Sequence, residues 1–269
     1  MEFKESYSKN NNLQFRDALN FIKRHKKFFN EHFGEKSLKL ADIGTGCGKI
    51  LNDAVLNESG LNFSFVVGID KSVDLIKKAS EKYKSEKTEF LVRNIEDDWI
   101  KDEYLINFDL IFSNYTFHWI KNHEKAFENI HQMLNPGGLF CFTFFHSSVI
   151  FYIWETLINS KYTKDKSFIS DFLSNICFNE DGEKILKKTL EKSGFKIIAF
   201  DDERLDFDFG PQEKFDGSLR YSNPFLQKMS DEILQKFNED QRMIVKILNV
   251  DGKAFTFPYR IFQVIAQKL

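Results

Sequence analysis

Cysteine is scarce in this chain, and the few cysteines present form no recognisable pair. Cys47, Cys141 and Cys177 are widely spaced among 269 residues, and no CxxC motif occurs. An odd, unpaired set argues against a disulfide framework and against the ligand spacing of a zinc site. We therefore predict a protein of a reducing compartment with no bound metal.

Long apolar runs and one-sided charge are also missing. The first residues, MEFKESYSKNNNLQF, are polar, and no stretch reaches transmembrane length without charged side chains. The formal net charge is -2, and no basic stripe with interleaved aromatic residues is visible. These absences predict a cytoplasmic protein with neither stable membrane insertion nor a nucleic-acid partner. Its oligomeric state, monomer or homodimer, stays open.

Phenylalanine, by contrast, is abundant, with 31 residues against only 4 prolines. Two interpretations stay open: the excess reflects nucleotide bias in the gene, or part of it lines an apolar cavity. Apolar residues make up 42% of the chain and charged residues 29%, which is typical of a folded core with a solvated surface. We predict a single domain over residues 1–269.

Strand and helix patterns alternate through the first half of the chain. Strands are predicted at 38–44, 63–70, 88–95, 108–114 and 139–145, and helices at 12–29, 49–59, 72–83 and 123–134. Pro136, Gly137 and Gly138 are predicted to stop the last of these helices. This alternation is typical of an α/β fold with a doubly wound, mostly parallel sheet.

The second half is predicted to be mostly helical. Helical insertions are expected at 146–192 and 205–250, and residues 1–33 are expected to form an N-terminal helical lid. Two more strands are predicted at 194–200 and 254–268, the second with Pro258 at an edge or a bulge.

A glycine-rich turn follows the first strand in LKLADIGTGCGKIL, residues 38–51. Gly44, Gly46 and Gly48 would let the main chain turn tightly and approach a ligand at the end of a parallel strand. Asp42 would repel a pyrophosphate and attract an ammonium or sulfonium group. Asp70 ends the second strand, where an acid can accept hydrogen bonds from both ribose hydroxyls.

The segments LADIGTGCGK, GID and NPGG together resemble the class I S-adenosylmethionine-dependent methyltransferases over about residues 38–145 and the final strand. The resemblance implies a seven-stranded Rossmann-like sheet whose last strand is antiparallel. It also implies S-adenosylmethionine as the cofactor and S-adenosylhomocysteine as its product. The implied cofactor-binding residues are Asp42, Gly44, Gly46, Gly48, Asp70, Lys71, Asn94, Ile95 and Ser113. Asn94 departs from the family, which usually has an acidic residue at this adenine contact.

Four segments resemble the juvenile hormone acid methyltransferases of arthropods over nearly the whole chain: YSKNNNLQFRDAL, FSNYTFHWIKNHEKAFENIHQML, NPFLQKMSDEILQKF and FPYRIFQVIAQK. The resemblance implies that Gln14 and Trp119 hold the carboxylate of a hydrophobic acid. A carboxylate is ionised at neutral pH, so its methylation needs no general base. His118 is then expected to form hydrogen bonds or to pack rather than to act as a base.

The acid is expected to lie in an apolar pocket formed by the two helical insertions. The candidate substrate-binding residues are Tyr115, Ile150, Phe151, Trp154 and Phe225. Two other functions stay open. A methyltransferase for a polar acid, such as trans-aconitate or a malonyl thioester, would place a cation in the pocket, and Arg220 or Arg260 could supply it. A non-catalytic partner protein would bind the cofactor without transferring its methyl group.

Overall fold

The structure is a computed structural model that describes residues 11–98, 107–159, 172–210, 214–216, 230–248 and 255–269. The chain divides into two compact units. We call Leu13–His146, Leu173–Glu203 and Ile261–Leu269 the sheet unit. The helical unit comprises the described parts of Met1–Asn12, Ser147–Phe172 and Arg204–Arg260.

The described strands and helices follow one another in an α/β order. The strands are β1 (Ser37–Ile43), β2 (Asn62–Asp70), β3 (Thr88–Val92), β4 (Phe108–Asn114), β5 (Leu134–Ser148), β6 (Phe195–Asp208) and β7 (Thr256–Lys268). The α-helices are α1 (Asn12–Phe33), α2 (Val73–Tyr83), α3 (His123–Met133), α4 (Val149–Leu157), α5 (Gly182–Lys192) and α6 (Asp231–Leu248). A π-helical segment, Leu51–Leu56, and a 3-10 helix, Phe117–Trp119, complete the order.

The seven strands form one mixed sheet in the order β3-β2-β1-β4-β5-β7-β6. The pairs among β1 to β5 are parallel, and the last strand is antiparallel. The predicted seven-stranded, doubly wound sheet is therefore confirmed. The chain runs outward from β1 to β3 and then returns to place β4 on the other side of β1. Ligands of such sheets bind beyond the carboxyl ends of the strands at this switch point.

The predicted break after the fourth helix is wrong in one respect. Helix α3 ends at Met133, but β5 begins at once with Leu134 and includes the PGG sequence. The register between β4 and β5 shifts here, because Phe108 pairs with Leu134 whereas Leu110 pairs with Leu139. The extra residues of β5 between these two pairs bulge out of the ladder. Pro136 has no N–H to donate, and Gly137 has a φ of 76°, so both suit a bulge.

Much of the phenylalanine excess lies in the core of the sheet unit. The fully buried rings of Phe117, Phe127, Phe140 and Phe142 form one cluster. The Phe140 and Phe142 centroids lie 4.5 Å apart, and those of Phe117 and Phe127 lie 5.3 Å apart. Packing between the sheet and α3 thus accounts for these residues without any ligand cavity.

The helical unit has an aromatic cluster of its own. The Phe215 ring stacks on Phe255 at a centroid distance of 4.8 Å and on Phe257 at 5.4 Å. The main-chain N–H of Phe209 donates to the carbonyl of Phe255 at 3.1 Å. None of the described helices is long and apolar enough to cross a bilayer.

Candidate active site

The glycine turn brings the main chain to the carboxyl end of β1. Gly44, Gly46 and Gly48 have φ angles of 74°, 58° and 76°. Residues with a side chain rarely adopt this left-handed conformation. A side chain at Gly44 is also excluded by space, because a Cβ atom there would lie 2.0 Å from Oγ1 of Thr116. Glycine at position 44 is therefore required by the backbone conformation and by the close contact with Thr116.

Asp70 ends β2 and supports the glycine turn. Its Oδ2 accepts the N–H of Gly46 at 2.9 Å, and its Oδ1 accepts the N–H of Ser72 at 2.9 Å. Burial raises the pKa of Asp70, while these hydrogen bonds and the exposed Lys71 act in the opposite direction. Each carboxylate oxygen has further acceptor capacity, so Asp70 can also bind ribose hydroxyls. Its structural role in the turn is not evident from the sequence.

Asp42 places a carboxyl group inside the sheet. The residue is 3% exposed on β1, and burial, with repulsion from Asp70, raises its pKa to about 7. A buried carboxylate is stabilised by a nearby positive charge. This side of the site therefore favours a ligand with an ammonium or sulfonium group.

The loop after β3 contains Asn94 and Ile95, the predicted adenine contacts. The Asn94 side chain donates to Asp97 Oδ1 at 3.1 Å and accepts the N–H of Glu96 at 3.4 Å. Asn129 of α3, which is 1% exposed, donates to the carbonyls of Ile95 and Asp97 at 2.7 and 2.9 Å. Asn129, to which no sequence motif points, thus fixes the loop that would border an adenine.

The end of β4 is tied to the glycine turn through one carbonyl oxygen. The hydroxyl of Ser113 donates to the carbonyl of Ile43 at 2.7 Å. Oγ1 of Thr116 lies 3.2 Å from the same oxygen, also as a donor. Ser113 is fully buried, so its hydroxyl serves this connection. The hydroxyl hydrogen is thereby used, so toward a cofactor the Ser113 side chain could only accept a hydrogen bond.

The first turn of α1 lies against the end of β4. Asn114 Nδ2 donates to the main-chain carbonyl of Gln14 at 3.0 Å, which fixes the Asn114 amide because only its nitrogen can donate. In the described part of the chain, neither Asn114 Oδ1 nor Gln14 Oε1 has a hydrogen-bond partner, although both atoms are buried. An amide oxygen can only accept, so a ligand group that binds to either of these atoms would have to donate a hydrogen bond.

Tyr115 makes a second connection from β4 to α1. It has a φ of 57°, and its hydroxyl donates to Asp17 Oδ2 at 2.6 Å. Arg16 donates to the other carboxylate oxygen at 3.0 Å, and Gln263 of β7 donates to the Asp17 carbonyl at 3.4 Å. Asp17, to which no sequence motif points either, is 1% exposed and anchors the start of α1 to the sheet.

The 3-10 helix after β4 carries His118 and Trp119. Their ring centroids lie 4.7 Å apart, and the His118 ring is 6.2 Å from Tyr115 and 5.7 Å from Phe145. Burial lowers the pKa of His118 to about 3, so the imidazole is neutral at neutral pH. Trp119 is partly exposed. The structure thus gathers Gln14, Tyr115, His118 and Trp119 on the segments that meet beyond β4.

Other predicted residues lie elsewhere. Ile150, Phe151 and Trp154 are buried on α4 in the helical unit, and Phe225 lies outside the described residues. Their role in substrate binding stays a prediction. No group of three or more His, Cys, Asp or Glu side chains in the described ranges could hold a metal ion.

Comparison with known proteins adds independent findings. Residues 41–142 match the model of a methyltransferase domain. The chain is 30% identical over 274 residues to juvenile hormone acid O-methyltransferase of Bombyx mori, covering 98% of this chain and 96% of that protein. It is 34% identical over 173 residues to malonyl-[acyl-carrier protein] O-methyltransferase 2 of Ilyobacter polytropus, covering 64% and 60%.

A solved structure has the same fold. Phosphoethanolamine N-methyltransferase 2 of Haemonchus contortus, in complex with phosphomonomethylethanolamine and S-adenosylhomocysteine, matches with a TM-score of 0.51. The match covers 99% of this chain and 60% of that one, at 18% identity. At this level of identity, the likeness concerns the fold alone.

Proposed function

We propose that this chain, which belongs to the family of S-adenosylmethionine-dependent methyltransferases that includes juvenile hormone acid O-methyltransferase, converts the carboxylate of a hydrophobic acid into a methyl ester. The family and the cofactor, S-adenosylmethionine, follow from the similarity to known methyltransferases. The carboxylate, the apolar chain of the acid and the roles of individual residues are the proposal.

The geometry around the glycine turn fits the cofactor. S-adenosylmethionine supplies a methyl group bound to a positively charged sulfur and leaves as S-adenosylhomocysteine. The glycine turn lies at the carboxyl end of β1, where ligands of such sheets bind, and the buried carboxyl of Asp42 suits the positive charges of the cofactor. We assign the ribose hydroxyls to Asp70. The remaining predicted contacts are Lys71, Asn94, Ile95 and Ser113.

The observation that carries the choice of acceptor is that, among the described residues just beyond β4, His118 and Asp17 are poorly suited to act as a general base. An alcohol or ammonium acceptor must lose a proton, which requires a group of suitable pKa nearby. His118 has a pKa lowered to about 3 by burial, so it is a weak base. The Asp17 carboxylate is engaged by Tyr115 and Arg16. A carboxylate acceptor needs no base, because it arrives already ionised.

Gln14 and Trp119 are the residues that we assign to the acceptor. Their carboxamide and indole N–H groups are neutral donors, so they can orient a carboxylate without protonating it. One carboxylate oxygen would then be held in line with the methyl group while the other is bound. The aromatic rings of Tyr115, His118 and Phe145 would exclude water from this place.

A panel of acceptors tests the proposed function. With labelled S-adenosylmethionine, we expect the purified protein to methylate apolar acids and to leave alcohols and amines with the same carbon chain unmethylated. The product should be an ester that alkali hydrolyses. Preferential methylation of polar di- or tricarboxylic acids or malonyl thioesters would favour the second enzyme function. Cofactor binding without transfer to any acceptor would favour a non-catalytic partner.

The pH dependence is expected to separate cofactor binding from methyl transfer. Because the pKa of Asp42 is raised to about 7, its carboxyl is mostly neutral at pH 6 and ionised at pH 8. A positively charged ligand prefers the ionised form, so cofactor affinity should be about tenfold lower at pH 6 than at pH 8. At saturating cofactor, kcat should vary little over this range.

The variant Asp42→Asn is the control for this titration. Its cofactor affinity should be low and nearly independent of pH, since it has no carboxyl to ionise. Calorimetry in the two buffers gives the affinities, and initial rates give kcat. An inflection of kcat near pH 7 that persists in Asp42→Asn at saturating cofactor would instead indicate a general base in the acceptor site.

A further inference from the structure

Helix α1 of the sheet unit is held to the sheet in two different ways along its length. From Ala18 onwards it packs through buried apolar side chains that include Phe21 and Phe29, and the Phe21 ring centroid lies 6.2 Å from that of Phe112 of β4. Apolar packing is not directional, so it tolerates small shifts of a helix along a sheet. Gln14 lies before this stretch, in the first turn of α1, where the main-chain N–H groups of any helix lack intrahelical partners.

The start of α1 is held instead by directional hydrogen bonds around Asp17, whose side chain is 1% exposed. Its Oδ2 accepts the hydroxyl of Tyr115, the residue that follows β4, at 2.6 Å. We call this pair, Asp17 and Tyr115, the latch. The side-chain amide of Gln263 on β7 donates at 3.4 Å both to the Asp17 carbonyl and to Oγ1 of Thr143 on β5. Asp17 follows Gln14 by three residues, so the two side chains share one face of the helix.

Tyr115 has a backbone conformation that a tyrosine normally avoids. Its φ of 57° lies in the left-handed region, which is unfavourable for a residue with a side chain. Its main-chain N–H donates to the carbonyl of Thr143 at 3.1 Å, and its ring centroid lies 5.3 Å from that of Phe145. Such a conformation persists only where the surrounding contacts enforce it, and it is typical of functional sites. The hydroxyl hydrogen of Tyr115 faces Asp17, so the side chain acts on α1.

We propose that Asp17 and Tyr115 are positioning residues for methyl transfer, and that the latch holds the carboxamide of Gln14 where the acceptor binds. This inference rests on the proposed function, since it concerns the residue that we assign to the acid. Asn114 donates to the Gln14 carbonyl, and Tyr115 donates to Asp17. Two consecutive residues after β4 therefore hold α1 at two points one helical turn apart. Two such points fix both the place and the rotation of the first turn, which a reaction sensitive to small displacements requires.

A double-mutant cycle between Tyr115→Phe and Gln14→Ala tests the proposal. Rates are measured at saturating S-adenosylmethionine with the acceptor that the panel identifies. Tyr115→Phe should lower kcat about tenfold and change the KM of the acceptor and the cofactor affinity by less than about twofold. In the Gln14→Ala background it should lower kcat by less than about twofold further, because no carboxamide is left to misplace. Tyr152→Phe removes the same hydroxyl from an exposed residue of α4 and is the matched control, which should behave as the parent protein.

Thermal unfolding separates positioning from a merely structural role. Tyr115→Phe leaves the buried Asp17 carboxylate with one hydrogen bond fewer, so its melting temperature should fall. The double variant Asp17→Leu with Tyr115→Phe replaces both groups by apolar ones and should recover most of that loss. Its kcat should nevertheless stay low, because apolar contact does not fix the first turn of α1. Recovery of kcat together with the melting temperature would overturn the proposal.

The other outcomes separate this inference from the proposed function. An equal loss of kcat in both backgrounds, or a loss that falls mainly on the KM of the acceptor, shows that Tyr115 contacts the acceptor itself and overturns the role of the latch. An unchanged kcat in Tyr115→Phe overturns it as well. If the acceptor is an alcohol or an amine and the cycle behaves as expected, the carboxylate is wrong and the latch is right. If no acceptor is methylated, both proposals are wrong.

Discussion

Replacement of Gly44 by alanine is expected to destabilise the protein by about 2–5 kcal/mol and to abolish cofactor binding. Part of the loss comes from the φ of 74°, which disfavours any residue with a side chain. The rest comes from Thr116, whose Oγ1, Cγ2 and Cβ atoms would lie 2.0, 2.4 and 2.7 Å from the new Cβ. The Thr116 side chain cannot easily move away, because its hydroxyl lies within hydrogen-bond distance of the carbonyl oxygens of Ile43 and Asn114.

Gly34→Ala is the matched control for this prediction. Gly34 has a φ of 59°, but a Cβ atom there would meet no atom within 4 Å. It should therefore show only the backbone cost, about 1–2 kcal/mol, and normal cofactor binding. Urea unfolding and calorimetry measure the two quantities. Adding Thr116→Gly to Gly44→Ala should recover part of the stability. Equal losses in the two alanine variants would show that the contact with Thr116 has no effect.

Gln14→Ala and Trp119→Phe are each expected to lower kcat about a hundredfold while S-adenosylmethionine still binds. Misplacement of a reacting group by a small distance has an effect of this size. Gln14→Ala keeps the main-chain carbonyl that accepts from Asn114, so only the carboxamide is lost. Trp119→Phe keeps an aromatic ring beside His118 and removes the indole N–H.

Single-turnover rates and cofactor affinities check this prediction. Asn20→Ala, at an exposed position of the same helix as Gln14, is the control and should behave as the parent protein. If both variants methylate apolar acids at the parent rate, the carboxylate is held elsewhere. Tyr115 and His118 would then be the next candidates, because their rings lie in the same cluster.

The parts of this structure that the sequence predicted well are local ones. The end of the second strand at Asp70 and the glycine turn after the first strand each follow from patterns within about ten residues. The PGG sequence predicts a plain helix stop, because Pro and Gly usually end regular structure. Here strand pairing overrides that rule, and the same residues form a bulge within β5.

Contacts between distant residues could not be predicted in this way. Asn114 bonds to Gln14 across 100 positions, and Tyr115 bonds to Asp17 across 98. Nothing near Asn114 or Asp17 in the sequence indicates these pairs, because they depend on how α1 folds back on the sheet.

The shared carbonyl of Ile43 has a consequence for how variants of this protein combine. Ser113 and Thr116 both donate to that one oxygen, which immediately precedes the glycine turn. Residues that share a partner do not contribute independently, so the free-energy effects of substitutions at Ser113 and Thr116 should not add. The same holds between either position and Gly44. A substitution at Ser113 or Thr116 therefore changes which substitutions the glycine turn tolerates. The glycine turn and the end of β4 have to be redesigned together.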